Sequence, residues 1–306
     1  MEPYRIDATD RAWFKQCRRA WDFGARACRG LEPVGGSAAR PWTGIVDALA
    51  VYYFPGMWDW DRDVVQRLVH QGLDRSGGST DRVAAHALLD RYAVWARPRD
   101  RFVPVRVAAE LEVNVPDPFL TGRDLSTPDG SPVRYTSTAD AMVWTEDDRL
   151  QLLCHRIGSG PFTEPELLAL DEPALAACWT WAHLMLDDRI AAIQFNEIRV
   201  DRADAFRRTE IPVTREAIAR AGRQLGSEVL DMLDAGLALY PNPTTSGCGV
   251  CPFRAPCGAM RDGLDAEPIL EAAYRRRPDP APQEGRLGGQ TWSTNRGARP
   301  PRFRRE

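Results

Sequence analysis

Lysine is almost absent from this sequence: Lys15 is the only one, and arginine supplies the rest of the 40 basic residues among 306. Any site elsewhere in the chain that calls for a compact ammonium group must make do with a guanidinium. Long apolar runs are missing too, none approaching the roughly 20 residues that a membrane helix requires. The opening stretch "MEPYRIDATDR" lacks the basic, apolar and small-residue regions of a secretory signal. These absences lead us to expect a cytoplasmic protein with no membrane association. Nor is there an excess of positive charge: the formal net charge is -3, so binding to nucleic acid would need a local basic surface. No internal repeat stands out.

Cysteine, by contrast, is present seven times. An odd number in a chain expected to stay reduced argues against a disulfide framework and for metal binding or buried thiols. Three of the seven fall in "CGVCPFRAPC": Cys248, Cys251 and Cys257, spaced C-x2-C-x5-C. A C-x2-C turn directs both sulfurs toward one metal, and Gly249 and Pro252 suit that turn. Three thiols so close in a segment rich in Gly and Pro fit a metal better than three separate buried side chains. The fourth ligand is open among Cys17, Cys28, Cys154 and Cys178. Spacing alone does not choose between zinc and an iron-sulfur cluster.

Hydrophobic periodicity divides the chain into a helical first third, a strand-rich middle and a helical end. Trp13, Phe14, Cys17 and Trp21 recur at helical intervals and predict one helix from residue 7 to about 29. Three further helices follow in "TGIVDALAVYYF", "DRDVVQRLVHQGL" and "DRVAAHALLDRYAVWA". Alternating and β-branched residues in "FVPVRVAAELEVNV", "VRYTSTADAMVW" and "RLQLLCHRI" predict three consecutive antiparallel strands. A helix in "DEPALAACWTWAHLMLDD" has Pro173 in its first turn, where a missing N–H is tolerated, and "IAAIQFNEIRV" reads as a fourth strand. A long amphipathic helix at about 214–239, the cysteine segment and a short helix complete the ordered part. The Arg-, Pro- and Gly-rich residues 275–306 read as a disordered tail.

A cysteine in an N-terminal helix followed by Arg and an aromatic residue, then helices, a βββαβ order and a terminal C-x2-C-x5-C, resembles the iron-sulfur branch of the RecB-like PD-(D/E)XK nucleases. That branch includes CRISPR-associated RecB-like exonucleases and AddB-type nuclease domains. The resemblance spans about residues 7–264 and implies an α/β (α+β) chain with a restriction-endonuclease-like core. It implies one RecB-like domain over 1–274, with a helical part at about 7–98, a βββαβ core at about 102–201, and a C-terminal helix and cysteine region at about 213–264. It also implies a [4Fe-4S] cluster held by Cys17, Cys248, Cys251 and Cys257, with zinc as the alternative, acting as a staple that couples metal binding to folding.

Members of that family cut DNA with divalent cations held by carboxylates on adjoining strands, helped by a lysine. Asp47, in "GIVDAL", stands where the family often has a histidine. Glu110 and Glu112 stand where it has an accessory glutamate, and strand alternation puts both on one face. Asp140, in "TSTADAMVW", matches the metal-binding aspartate and is the best surviving ligand for Mg²⁺ or Mn²⁺. In "CHRIG", however, Cys154 takes the place of the carboxylate and Arg156 that of the lysine, with His155 as spacer. A thiol does not supply the hard oxygen ligation that Mg²⁺ prefers, and a guanidinium lacks the mobility of an ammonium. Pro173 and Ala177 take the places of a polar Q-x-x-x-Y pair.

The expectation is therefore a pseudo-enzyme: an iron-sulfur nuclease fold kept for binding DNA or a protein partner, with Arg18, Arg19, Arg156 and the tail as phosphate-contact candidates. The alternatives are an active metal-dependent DNA nuclease using Asp140, Glu110 or Glu112, and Asp47, or a metal-stapled scaffold or redox-sensing protein without nucleic-acid function.

Overall fold

Burial of apolar stripes organises this chain into two compact units, in a computed structural model that describes residues 2–35, 42–75, 81–185 and 188–277. The first unit draws on Met1–Ala38, Glu112–Ser137 and Arg220–Pro282; the second on Ala39–Leu111 and Thr138–Ala219, with the remaining residues at the chain end. Among the described residues there are eleven α-helices, and none is long and apolar enough to cross a membrane.

In the first unit, strand β1 (Tyr4–Asp7) leads into helix α1 (Ala8–Gln16) and helix α2 (Arg18–Gly24), followed by the short strand β2 (Leu31–Pro33). A capping box starts α1: the Asp7 carboxylate accepts from the N–H groups of Thr9 and Asp10, and Asp10 accepts from the N–H of Asp7. The single helix expected over 7 to about 29 is in fact two, broken at Cys17, whose backbone is extended (φ -163°, ψ 109°). No glycine or proline marks this break. A tertiary partner holds it instead, as described below.

The capping carboxyl of Asp10 is buried, and its pKa is pushed up to about 7, first by desolvation and then by Asp7, against the pull of the Asp7 N–H, Arg277 and Arg26. A folded value above the unfolded one favours the fold at low pH and loses that contribution as pH rises from about 3.8 through about 7. Asp10→Asn keeps an oxygen for the Asp7 N–H. Its stability by urea denaturation, relative to the unsubstituted protein, is expected to rise by a few kcal/mol between pH 4 and pH 8; a pH-independent difference would contradict this account.

The second unit begins with α3 (Thr43–Tyr52), α4 (Arg62–Arg75) and α5 (Arg82–Ala96), the three helices that periodicity predicts. Strand β3 (Phe102–Asn114) pairs with β4 (Val133–Thr145), β4 pairs antiparallel with β5 (Leu150–Gly158), and β5 runs parallel to β6 (Ile190–Arg199). The crossover between β5 and β6 carries the short α6 (Pro165–Leu168) and then α7 (Glu172–Leu184), with Asp171 as N-cap and Pro173 in the first turn. Strand β7 (Phe206–Pro212) adds antiparallel to β6. The expected order of three strands, helix and strand is present, and β7 extends it. Ile45, Leu49, Tyr53, Leu89, Tyr92, Phe102, Val143 and Leu153 belong to one buried cluster where the helices meet the sheet.

Chain order returns to the first unit with α8 (Arg215–Leu233), which ends six residues before the expected 239. Three short helices follow: α9 (Thr245–Val250), α10 (Arg254–Arg261) and α11 (Glu267–Ala273). Strand β8 (Tyr274–Arg276) pairs antiparallel with β2. Arg275 and Arg276, which composition assigns to the start of the tail, are thus in a ladder; residues 278–306 lie outside the described residues.

Candidate functional site

The cysteines implied by the resemblance all belong to the first unit. Cys17 sits at the α1–α2 break. Asn242 spans that break twice: its side-chain amide donates to the carbonyl of Gln16 at 3.0 Å, and its backbone N–H donates to Cys17 Sγ at 3.4 Å. The end of α1 is thereby satisfied by a residue from the approach to the cysteine segment. Cys248 lies in α9, Cys251 caps the end of that helix, and Cys257 lies in α10. A Cβ on Gly247 would lie 2.6 Å from Thr244 Oγ1 and 3.0 Å from Gln16 Nε2, so a larger residue there would displace the Thr244 hydroxyl that caps α9.

Electrostatic interactions link Cys251 and Cys257 to Cys17 and Cys248. The thiols of Cys251 and Cys257 are each pushed up, by desolvation first and also by the nearness of Cys17 and Cys248. For Cys251, a hydrogen bond from the Phe253 backbone works in the opposite direction; for Cys257, Arg19 and Arg261 do. Cys17 and Cys251 also pack against a small apolar cluster of Phe23, Phe253, Leu270 and Tyr274. Helix α9 buries no residue at all. Among the described residues, no three or more His, Cys, Asp or Glu side chains stand ready as a metal-holding group.

The other candidate residues lie on β3, β4, β5 and α3. Asp140 is one residue beyond the last β4–β5 ladder pair, Ala141 with Leu153, so it shares a sheet face with Cys154 and Arg156. Its Oδ2 accepts the His155 backbone N–H at 2.7 Å. Desolvation raises the Asp140 pKa, opposed by that hydrogen bond and by Arg156. Cys154 is buried, and desolvation together with Asp140 holds its thiol well above the usual range, so it is protonated at neutral pH. Arg156 forms a bidentate pair with Asp171, the N-cap of α7, at 2.7–3.0 Å, and its guanidinium lies 5.4 Å from the Phe195 ring centre.

The same face carries a residue that the sequence analysis passed over. Glu197 on β6 is fully buried and accepts from Arg199 at 2.5 Å, from Arg207 at 2.6 and 2.9 Å, and from the Thr163 backbone at 2.9 Å. His155 projects to the opposite face, as alternation predicts. There it stacks on Tyr53, and Asn196 Nδ2 lies 2.9 Å from its Nδ1. Burial, reinforced by Arg208 and Arg156, lowers its pKa to about 3, so the ring is neutral.

The accessory carboxylates stand differently. Glu110 and Glu112 share the outward face of β3, and Glu112 binds Arg5 and Arg134, each at 2.9 Å. Asp47 is half-buried on α3. The arginines proposed to meet phosphate are internally engaged. Arg18 lies over Phe14 and Tyr240, and Arg19 donates to Leu239 O and contacts Met260 Sδ.

No protein-family model matches the chain, and no curated protein matches it. Among solved structures, the chain is similar to that reported as the crystal structure of SSO0001, at 12% identity and a TM-score of 0.39, over 85% of this chain and 88% of that one.

Proposed function

We propose that this chain is an iron-sulfur, RecB-like protein of PD-(D/E)XK fold in which hydrolysis has been lost and which serves by binding DNA or a protein partner. The observation that carries the loss of hydrolysis is the wiring of the Asp140 face. Cys154 is a buried neutral thiol where a hard ligand is needed, Arg156 is committed to Asp171 and Phe195, and Asp140 is already bonded to a backbone N–H. Cys17, Cys248, Cys251 and Cys257 fit a cluster by donor type, by their mutual electrostatic influence, and because α9 has no apolar anchor of its own. The role that follows for the cluster is structural, a tie between residues near both ends of the described chain.

Anaerobically purified protein, incubated with single- and double-stranded DNA in Mg²⁺ or Mn²⁺, is expected to leave the DNA intact. If DNA is the partner, binding weakens steeply with salt; absence of binding points to a protein partner. Degradation of DNA that disappears in Asp140→Ala would refute the loss of hydrolysis.

A further inference from the structure

A cleft of about 340 Å³ in the first unit is lined by Arg19, Asp22 and Phe23 from α2, by Leu239 and Leu264 from the connections before α9 and after α10, and by Met260 from α10. Phe23 is buried, whereas Leu239, Met260 and Leu264 expose their apolar side chains. Such a volume stands at the lower end of small-molecule sites. Arg29 and Glu267 also face the cleft, but they close on each other through a bidentate pair at 2.7 and 2.9 Å. Asp265, a further lining residue, accepts the Glu267 N–H at 3.0 Å.

One charge of each sign is left open there. Arg19 donates to the Leu239 carbonyl at 2.9 Å and contacts Met260 Sδ, both of them neutral, and has no carboxylate partner among the described residues. Its Nε is covered, so a ligand would meet the second N–H of each terminal nitrogen. Asp22 has no hydrogen-bond or ion-pair partner among the described residues, and its carboxylate oxygens are reached by solvent. Three residues apart on α2, Arg19 and Asp22 stand on one helix face and could pair, yet Arg19 is drawn to Leu239 instead. Desolvation raises the Asp22 pKa, and Arg29 and Arg19 pull it back only through space, without a hydrogen bond.

We propose that this cleft binds a free α-amino acid with an apolar side chain, its ammonium on Asp22, its carboxylate on Arg19 and its side chain against Phe23, Leu239, Met260 and Leu264. Two opposite charges carried on one carbon match two side chains whose Cβ atoms stand roughly 5–6 Å apart at this helix spacing. A simple cation would meet Arg19 as a like charge, and a simple anion would meet Asp22 so; a zwitterion compensates both. Its aliphatic part exchanges water for the apolar wall. Both Arg19 and Asp22 are half-buried, so the ligand reaches them without unfolding α2.

The site does not rest on the nuclease-fold reading. The probe is L-leucine, with 3-methylbutylamine and 4-methylpentanoate as the same skeleton carrying one charge each. Binding to full-length protein, followed by calorimetry and ligand-detected NMR, is expected to saturate at one leucine per chain, with each analogue about tenfold weaker or more. Asp22→Asn should weaken leucine by about tenfold and leave 4-methylpentanoate no weaker; Arg19→Gln should weaken leucine likewise and leave 3-methylbutylamine no weaker. The ranking of the three ligands on the unsubstituted protein decides even where a variant fails to fold. The proposal is overturned if nothing saturable binds below about 1 mM, if either single-charge analogue matches leucine, or if folded Asp22→Asn binds leucine like the parent.

Discussion

If the proposed cluster is bound, replacing Cys248 with alanine is expected to strip iron from anaerobically prepared protein and to lower its Tm by roughly 5–10 °C, the equivalent of a few kcal/mol. The size of the effect follows from how little else secures that region. Helices α9, α10 and α11 have 6, 8 and 7 residues, too short to persist on propensity alone, and α9 buries nothing. Among the described residues, the apolar cluster they pack on buries no more than Ala20, Phe23, Phe253, Ala266, Leu270 and Tyr274. Cys17→Ala should match Cys248→Ala in iron content and melting. Cys28→Ala should retain iron, because that thiol has Asp22 and Asp10 rather than the other cysteines as its charged neighbours. Colourless parent protein with stoichiometric zinc would replace the cluster with a zinc site, and full iron occupancy in Cys248→Ala would remove that residue from the ligand set.

Local order was legible wherever one face of an element is apolar. The periodic stretches that became α3, α4, α5 and α7, and the β-branched runs that became β3 to β6, bury the residues that periodicity selects. Two kinds of feature escaped. The break at Cys17 has no local signal because its cause is distant in sequence: Asn242 supplies the missing donor. Strand β7, "FRRTEIP", escaped because its two adjacent arginines interrupt any apolar alternation, although Arg207 and Arg208 are directed into the protein. Strands β1, β2 and β8 have four, three and three residues, too few for an alternation to show.

The candidate site was legible as an inventory and not as a set of relations. Alternation gave the common face of Cys154 and Arg156 and the opposite orientation of His155. It gave no hint that Asp140 would cap the His155 N–H or that Asp171 would take Arg156, since both depend on the register of β4 and on the entry of the chain into α7. Buried charge was the larger omission. Glu197, Asp100 and Arg208 look like surface residues in a sequence, and only the pairing of distant elements identifies them as interior. The pairing of His70 with Asp90 and of His86 with Asp74 escaped for the same reason, since it forms only where α4 and α5 lie side by side.

Arg208→Met is expected to destabilise the protein by about 3–5 kcal/mol. Arg208 pairs with Asp100 and donates to Tyr53 Oη at 2.9 Å and Tyr92 Oη at 3.2 Å; the Asp100 and Arg208 side chains are 3% and 9% exposed. Tyr92 Oη in turn accepts from Asn196 Nδ2, which links the network to His155. Methionine fills most of the volume but leaves the buried Asp100 carboxylate with the Tyr52 and Tyr53 hydroxyls and without its cation. Burial already raises the Asp100 pKa, and Arg208 is the strongest influence holding it down. Without Arg208 the folded value rises further above the unfolded one, so the variant loses more stability as pH climbs through that value. Urea denaturation should show a larger deficit at pH 8 than at pH 5. Adding Asp100→Asn should recover most of the loss, because a neutral amide needs no counter-charge. A deficit under about 1 kcal/mol, or one that Asp100→Asn fails to relieve, would mean that water and neighbouring hydroxyls, rather than Arg208, compensate the buried carboxylate.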